Sequence, residues 1–308
     1  MSNKLTALLG VTYPILQGAM AWISRAPLAA AVSNAGGLGI LSGVTDSLEM
    51  LRNEIRRTRA MTKRPFGVNL MLQSPLAKPA ARLVVEERVP VVTTGAGSPA
   101  EYMEQWLAAK IKVVPVVASV SLARWMEREG ACAVIAEGAE AGGHVGDIST
   151  MCLVPQVCDA VSIPVVAAGG IADGRGMAAA LLLGAQGVQI GTRFLTAVEC
   201  GVHPSYTDRV LRANDTGTVV TGRWTGQSVR SLKSPLTGRL MRQERSGQSF
   251  YPTGALRRAV EDGDENEGWF LAGQSAGLVH RRMPAAAIVR EIAEQAQKEL
   301  EYGAQRLP

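Results

Sequence analysis

Between residues 14 and 195 the chain alternates short, almost continuously apolar runs with stretches of helical character, and it does so eight times. A run with no polar face suits a strand covered on both sides, as in a parallel sheet with crossover helices packed against it. The runs fall at 14–17, 38–42, 66–70, 89–94, 112–117, 131–136, 164–168 and 187–191. Eight strand-helix units close such a sheet on itself, so the expected fold is α/β, a (β/α)8 TIM barrel. With 308 residues, 47% of them hydrophobic, the chain has length for that barrel and for an insertion.

Start and stop signals between the runs agree with this reading. Ser24 is expected to cap a helix with Pro27 in its first turn, ended by Gly36-Gly37, and Leu48, Leu51 and Ile55 give the next helix an apolar stripe. Ser98-Pro99-Ala100-Glu101 has the form of a capping box ahead of a core-facing Tyr102/Trp106 pair, and Asp173 caps a helix that Gly184 ends. Past residue 200 the alternation stops. Residues 201–268 are expected to form a smaller insertion over the C-terminal mouth, irregular apart from a helix over 206–213. The expected division is therefore a barrel over 1–200, a lid over 201–268 and a return over 269–308, where Ile288, Ile292, Ala296 and Leu300 repeat at helical spacing.

Charge and cysteine usage narrow the function classes. Thirty-two basic against 27 acidic residues leave +5, with basic residues concentrated only over 223–245, which argues against a nucleic-acid partner. No stretch reaches the roughly 18 apolar residues that span a bilayer, and the first ten are too few for a signal segment, so a cytoplasmic protein without a membrane partner is expected. Cys132, Cys152, Cys158 and Cys200 lack Cys-x-x-Cys spacing and read as reduced, buried thiols.

In a barrel of this kind the residues just after each strand build the site. Two strand ends, Val165-Val166-Ala167-Ala168-Gly169-Gly170 and Val188-Gln189-Ile190-Gly191-Thr192-Arg193, finish on glycine where a helix begins, and backbone N–H groups at such junctions cradle a phosphate. Glycine at each also serves a tight turn, but two junctions in the last two strands favour the phosphate reading. The other strand ends supply Gln17-Gly18-Ala19-Met20, Asn69, Thr93-Thr94 and Glu137 to His144. Amides, hydroxyls and glycines suit a flat heteroaromatic ring better than a metal or a highly charged substrate.

Gly142, Gly143 and Gly146 strip bulk from around His144 and mark it as the acid-base candidate; Glu137 and Glu140 either orient or tune it or serve a helix start or loop surface. His203 and His280 read as solvated. Gly95-Ala96-Gly97 lacks the third glycine and the acidic residue of a dinucleotide fingerprint, so a nicotinamide would visit without a resident site.

Together these segments resemble the flavin-dependent enoyl-acyl-carrier-protein reductase II family, within the wider group that includes nitronate monooxygenases. The likeness runs from Tyr13–Trp22 through Ala35–Ile40, Pro65–Met71, Val92–Gly97, Glu137–His144, Ala167–Gly174 and Gln189–Phe194 to His203-Pro204 and Ala272–Gly277. The resemblance implies FMN, its phosphate at Gly169, Gly170, Gly191 and Thr192 and its ring against Gly18, Ala19, Met20, Asn69 and Gln189. Thr94, Glu137, Gly142, Gly143 and Ala168 complete the expected contacts, and His144 matches the catalytic histidine. It further implies NADH or NADPH as co-substrate, a trans-2-enoyl thioester on acyl carrier protein, and a response to monovalent cations in some members; the metal ligands stay unknown. Nitronate oxidation with O2 is the alternative. A homodimer is the expected assembly. Arg223, Arg230, Lys233, Arg239, Arg242 and Arg245 are either a surface for the acidic carrier or a solvated face.

Overall fold

A computed structural model describes residues 3–223, 226–248 and 251–305. The first half holds α1 (Lys4–Leu9), β1 (Ile15–Gln17), α2 (Ala26–Asn34), β2 (Gly39–Ser42), α3 (Leu48–Met61), β3 (Phe66–Met71), α4 (Ala77–Glu86), β4 (Val91–Gly95) and α5 (Ala100–Ala108). Next come β5 (Lys112–Val117), α6 (Val120–Arg128), β6 (Val134–Glu137), β7 (Gly143–His144), α7 (Thr150–Ala160), β8 (Val165–Ala168), α8 (Gly174–Leu182) and β9 (Gly187–Ile190). The remainder is α9 (Pro204–Leu211), β10 (Thr218–Thr221), β11 (Val229–Leu232), α10 (Pro235–Arg245), α11 (Ala255–Arg257) and α12 (Ala285–Ala304).

Eight parallel strands run in the order β1-β9-β8-β6-β5-β4-β3-β2, and a parallel bridge from Leu16 to Leu38 brings the two ends together. All eight expected runs are strands, and the fold is the (β/α)8 barrel. Its interior is apolar at the bottom, where Leu16, Leu38, Ile40, Val91, Val114, Ile135 and Val166 meet Leu5 and Leu9 of α1. Polar inward positions are left to the top. That gradient puts the site at the C-terminal strand ends.

The outer helices form for the expected reasons, with two corrections. Ser47 caps α3 by accepting from Met50 N–H, and Leu51 and Ile55 are buried, each contributing about 1.5–3 kcal/mol of transfer free energy. Asp173 caps α8, and Gly184 at φ +99° takes the chain out of it. Tyr102 and Trp106 pack 5.4 Å apart, with Trp106 Nε1 donating to Ala81 O. Ser24, by contrast, does not cap α2: the cap position is Arg25, and Ser24 Oγ accepts from Met20 N–H at 2.8 Å. The Ser98 capping box is also absent, because α5 starts at Ala100 with Pro99 in the cap position. Burial of the cysteines is uneven: Cys200 is buried, Cys132 and Cys158 are half-buried, and Cys152 is exposed.

The region after 200 is more regular than expected. Besides α9, it contains the antiparallel hairpin β10-β11, the helix α10 and a small core of Val229, Leu236, Leu240, Ala255 and Trp269. Arg257 straps this part to the barrel through Asp46 at 2.8 Å and the Trp22 ring at 5.1 Å. Helix α12 packs on α8 and α2, burying Ile288, Ile292 and Ala296. Among the described residues no helix is long and apolar enough to cross a membrane.

Candidate active site

A cavity of about 260 Å3 opens at the top of the barrel. Ala19, Met20, Asn69, Glu137, Gly142, Gly143, His144, Ala168, Gly169, Gly170, Gln189, Gly191 and Thr192 all line it. Residues far apart in the chain therefore converge on one bowl. Two expected residues do not line it. Gly18 stands behind the wall, its N–H donating to Ile190 O at 2.8 Å, and an added Cβ would lie 3.4 Å from Gly191 Cα. Thr94 faces outward, because strand side chains alternate and its neighbour Thr93 is the one that accepts from Asn69 Nδ2 at 2.9 Å.

The wall after β1 is set by Gln17, which is fully buried. Its amide donates to Gly18 O and Ser24 Oγ and accepts from Ile40 N–H, so the loop carrying Ala19 and Met20 has little freedom. At the opposite wall, Gly169 and Gly170 sit at φ +96° and +74°, the left-handed region that favours glycine. Gly169 N–H belongs to the β8–β9 ladder, toward Gln189, while the N–H groups of Gly170, Gly191 and Thr192 have no acceptor among the described residues. Three unsatisfied donors at one end of a cavity form a site for an anion.

Asn69, Gln189 and Glu137 likewise line the cavity, and Asn69 Oδ1, the Gln189 amide and the Glu137 carboxyl have no partner among the described residues. The donor set, anionic at one end and neutral-polar along the floor, fits a phosphorylated flat ring. Thr192 Oγ1 is already engaged, accepting from Gly273 N–H at 2.9 Å. Arg193 contributes nothing to the cradle: it turns away, donating to Thr196 Oγ1 at 2.7 Å and Arg281 O at 3.1 Å.

His144 lies in β7, an edge strand whose neighbour is β11, with His144 opposite Val229 and Gly143 opposite Arg230. Its ring is exposed to the bowl, yet the surrounding protein strips enough water to hold the imidazole below its ordinary pKa. At neutral pH it is therefore a neutral base and N–H donor. Arg230 is buried, with Nε and Nη2 donating to Ala139 O at 3.1 and 3.0 Å and Nη1 to Thr218 Oγ1 at 3.1 Å. It fastens the hairpin to the histidine loop and is not a docking charge.

Glu140 does not face His144. Its carboxylate accepts from Thr150 N–H at 2.9 Å and Thr150 Oγ1 at 2.8 Å, closing the N-terminus of α7. His203 and His280 are both exposed, although His203 accepts from Ser205 N–H at the start of α9. One wall went unread in the sequence: Leu256 and the segment from Leu271 to Ser275 complete the bowl with Ser42 and Met71. A Cβ on Gly142 would come within 2.5 Å of the Ala272 carbonyl carbon, so close packing of this return strand demands glycine there. Among the described residues, no group of three or more His, Cys, Asp or Glu could hold a metal ion.

Comparison with known proteins decides the kinship. The family model described as nitronate monooxygenase matches residues 2–295. The chain belongs to the nitronate monooxygenase family. A probable nitronate monooxygenase of Staphylococcus haemolyticus is 36% identical, the match covering 90% of this chain and 92% of that protein. A (3aS,4S,5R,7aS)-5-hydroxy-7a-methyl-1-oxo-octahydro-1H-indene-4-carboxyl-CoA dehydrogenase of Mycobacterium tuberculosis is 40% identical, covering 78% of this chain and 68% of its own. Among solved structures, FabK from Thermotoga maritima is similar over 100% of both chains, with a TM-score of 0.97 and 46% identity. Members of this family are flavin oxidoreductases.

Proposed function

We propose that the chain is an FMN-dependent enoyl-acyl-carrier-protein reductase driven by NADH or NADPH. The observation that carries this reading is the end-to-end likeness to FabK, a reductase of this type, which extends across the insertion as well as the barrel. The N–H groups of Gly170, Gly191 and Thr192 would hold the phosphate, with Gly169 shaping the turn beside it, and Asn69, Glu137 and Gln189 would meet the ring. When bound, the flavin supplies hydride chemistry between the nicotinamide and the β-carbon of a trans-2-enoyl thioester.

The chain's own residues do the rest. His144, neutral at pH 7, holds an N–H at the rim where negative charge develops on the thioester carbonyl, a contribution of about 10²- to 10⁴-fold for acid-base groups. Met20, Ile23, Leu195 and Leu256 give the bowl an apolar wall for the acyl chain. Arg223, Lys233, Arg242 and Arg245 are exposed and face an acidic carrier; Arg239 is instead paired with Glu267 at 2.7 Å.

One observation favours a second reading, nitronate oxidation with O2: a neutral His144 is also the form that removes a proton from a nitroalkane. Anaerobic mixing separates the two. The reductase reading expects flavin absorbance to bleach with NADH or NADPH and to return on adding crotonyl thioester. Bleaching by neither nicotinamide, with oxygen uptake on nitronate alone, would replace it with the second.

A further inference from the structure

The floor of the bowl contains an acid in an unusual position. Glu137 ends β6 with its side chain on the same inward face as Ile135, opposite Ala168 of β8, and its carboxyl lines the cavity with no hydrogen-bond partner among the described residues. The side chains that face it are neutral, from Val116 of β5, Ala168 of β8, Asn69 of β3 and Gln189 of β9. His144 is the other titratable group lining the bowl, among the described residues. The charges on the neighbouring histidine loop and hairpin are engaged elsewhere, Glu140 by Thr150 and Arg230 by the Ala139 carbonyl. No cation is therefore on hand to hold a carboxylate at this point.

We propose that Glu137 is a proton-linked contact for the flavin ring, holding it as the neutral acid, so that the chain releases its cofactor more readily as pH rises. This rests on the flavin reading given above. A neutral carboxyl donates its O–H to a ring carbonyl or ring nitrogen and accepts from a ring N–H through its other oxygen, whereas a carboxylate only accepts and repels the ring's lone pairs. Burial already pushes the Glu137 carboxyl up to about 7. A ring seated against it removes the remaining water and raises it further. Binding then takes up a proton wherever the ligand-free carboxyl is ionised, and retention of the ring falls with pH above that point.

The test uses the intact chain loaded with riboflavin 5′-phosphate. Release of riboflavin 5′-phosphate is followed by equilibrium dialysis and flavin fluorescence from about pH 5.5 to 8.5, for the natural chain and for Glu137→Gln, which keeps shape and cannot ionise. Titration of the phosphate and of His144 is common to both proteins and cancels in the ratio of their Kd values. The expected result is a constant ratio in acid that grows against the natural chain by up to about tenfold per pH unit above 7. A ratio flat across the range, or one that grows toward acid, overturns the proposal. If Glu137→Gln does not fold, infrared spectra of the natural holoprotein serve instead. A carboxylic-acid carbonyl band that persists above about pH 7.5 supports the acid form, and its absence refutes it. A chain that holds no flavin at any pH removes the flavin reading itself, an outcome distinct from flavin held without pH dependence.

Discussion

Replacing Arg230 with Met tests whether the hairpin holds the histidine in place. The guanidinium makes three hydrogen bonds, two to Ala139 O and one to Thr218 Oγ1. Bonds from a charged donor are worth about 1.5–3 kcal/mol each before desolvation. Burial opposes this charge and holds its pKa below the ordinary arginine value, and Met refills the stem volume, so the net loss comes to about 1–2 kcal/mol. That loss falls on the loop leading to Gly143 and His144, because these residues pair with β11 and not with the barrel strands. At 1.4 kcal/mol per decade, the equilibrium between placed and displaced His144 shifts about tenfold toward the displaced form, which lowers turnover by up to that factor. Steady-state turnover, flavin absorbance per chain and a thermal melt should be measured on one preparation. Expected are a kcat lowered by up to about tenfold, unchanged flavin content and a Tm lowered by only a few degrees. Full kcat alongside a lowered Tm would show that Arg230 stabilises the fold without positioning the histidine.

Further outcomes follow from the same geometry. His144→Ala should keep its flavin, since the cradle is built from backbone N–H groups, while turnover drops by about 10²-fold or more; loss of flavin instead would make His144 a binding residue. Because desolvation depresses the His144 pKa, activity that needs the neutral ring should be constant at neutral pH and fall as pH drops through a value below about 6.5. A profile that falls toward alkali over that window would show that the protonated ring is the working form. Reversing charge at the exposed pair, Arg242→Glu with Arg245→Glu, should raise KM for carrier-bound substrate and leave KM for a short thioester analogue unchanged. Equal effects on both substrates would place these arginines outside any docking face.

The barrel could be read from the sequence because its strands are buried on both faces, and a run such as Pro164-Val165-Val166-Ala167-Ala168 fits little else. The same uniformity hid the parity of the side chains: with Thr93 and Thr94 adjacent in an apolar run, only the Asn69 partner shows which one faces inward. Helix starts failed where a capping residue had a tertiary competitor. Ser24 is taken by Gln17 and Met20, so α2 begins without a side-chain cap. Of the two roles open to Glu140 the structure takes the helix start, since the N-terminus of α7 meets it across a loop that only the fold brings round. The return wall at Ala272 and Gly273 belongs to a segment that carried the resemblance, but nothing local showed that it lines the bowl. Its role depends on Gly142, which lies more than a hundred positions earlier.

The pairing of β7 with β11 divides ownership of the chemistry. The bowl and its donors come from the barrel, but the two-residue strand that bears His144 borrows its only ladder neighbour, among the described residues, from the insertion. Grafting a foreign insertion onto this barrel would therefore transplant the aim of the imidazole along with the entrance. In such chimeras cofactor content should follow the barrel parent and turnover the donor of the hairpin, so that the two traits become separately heritable.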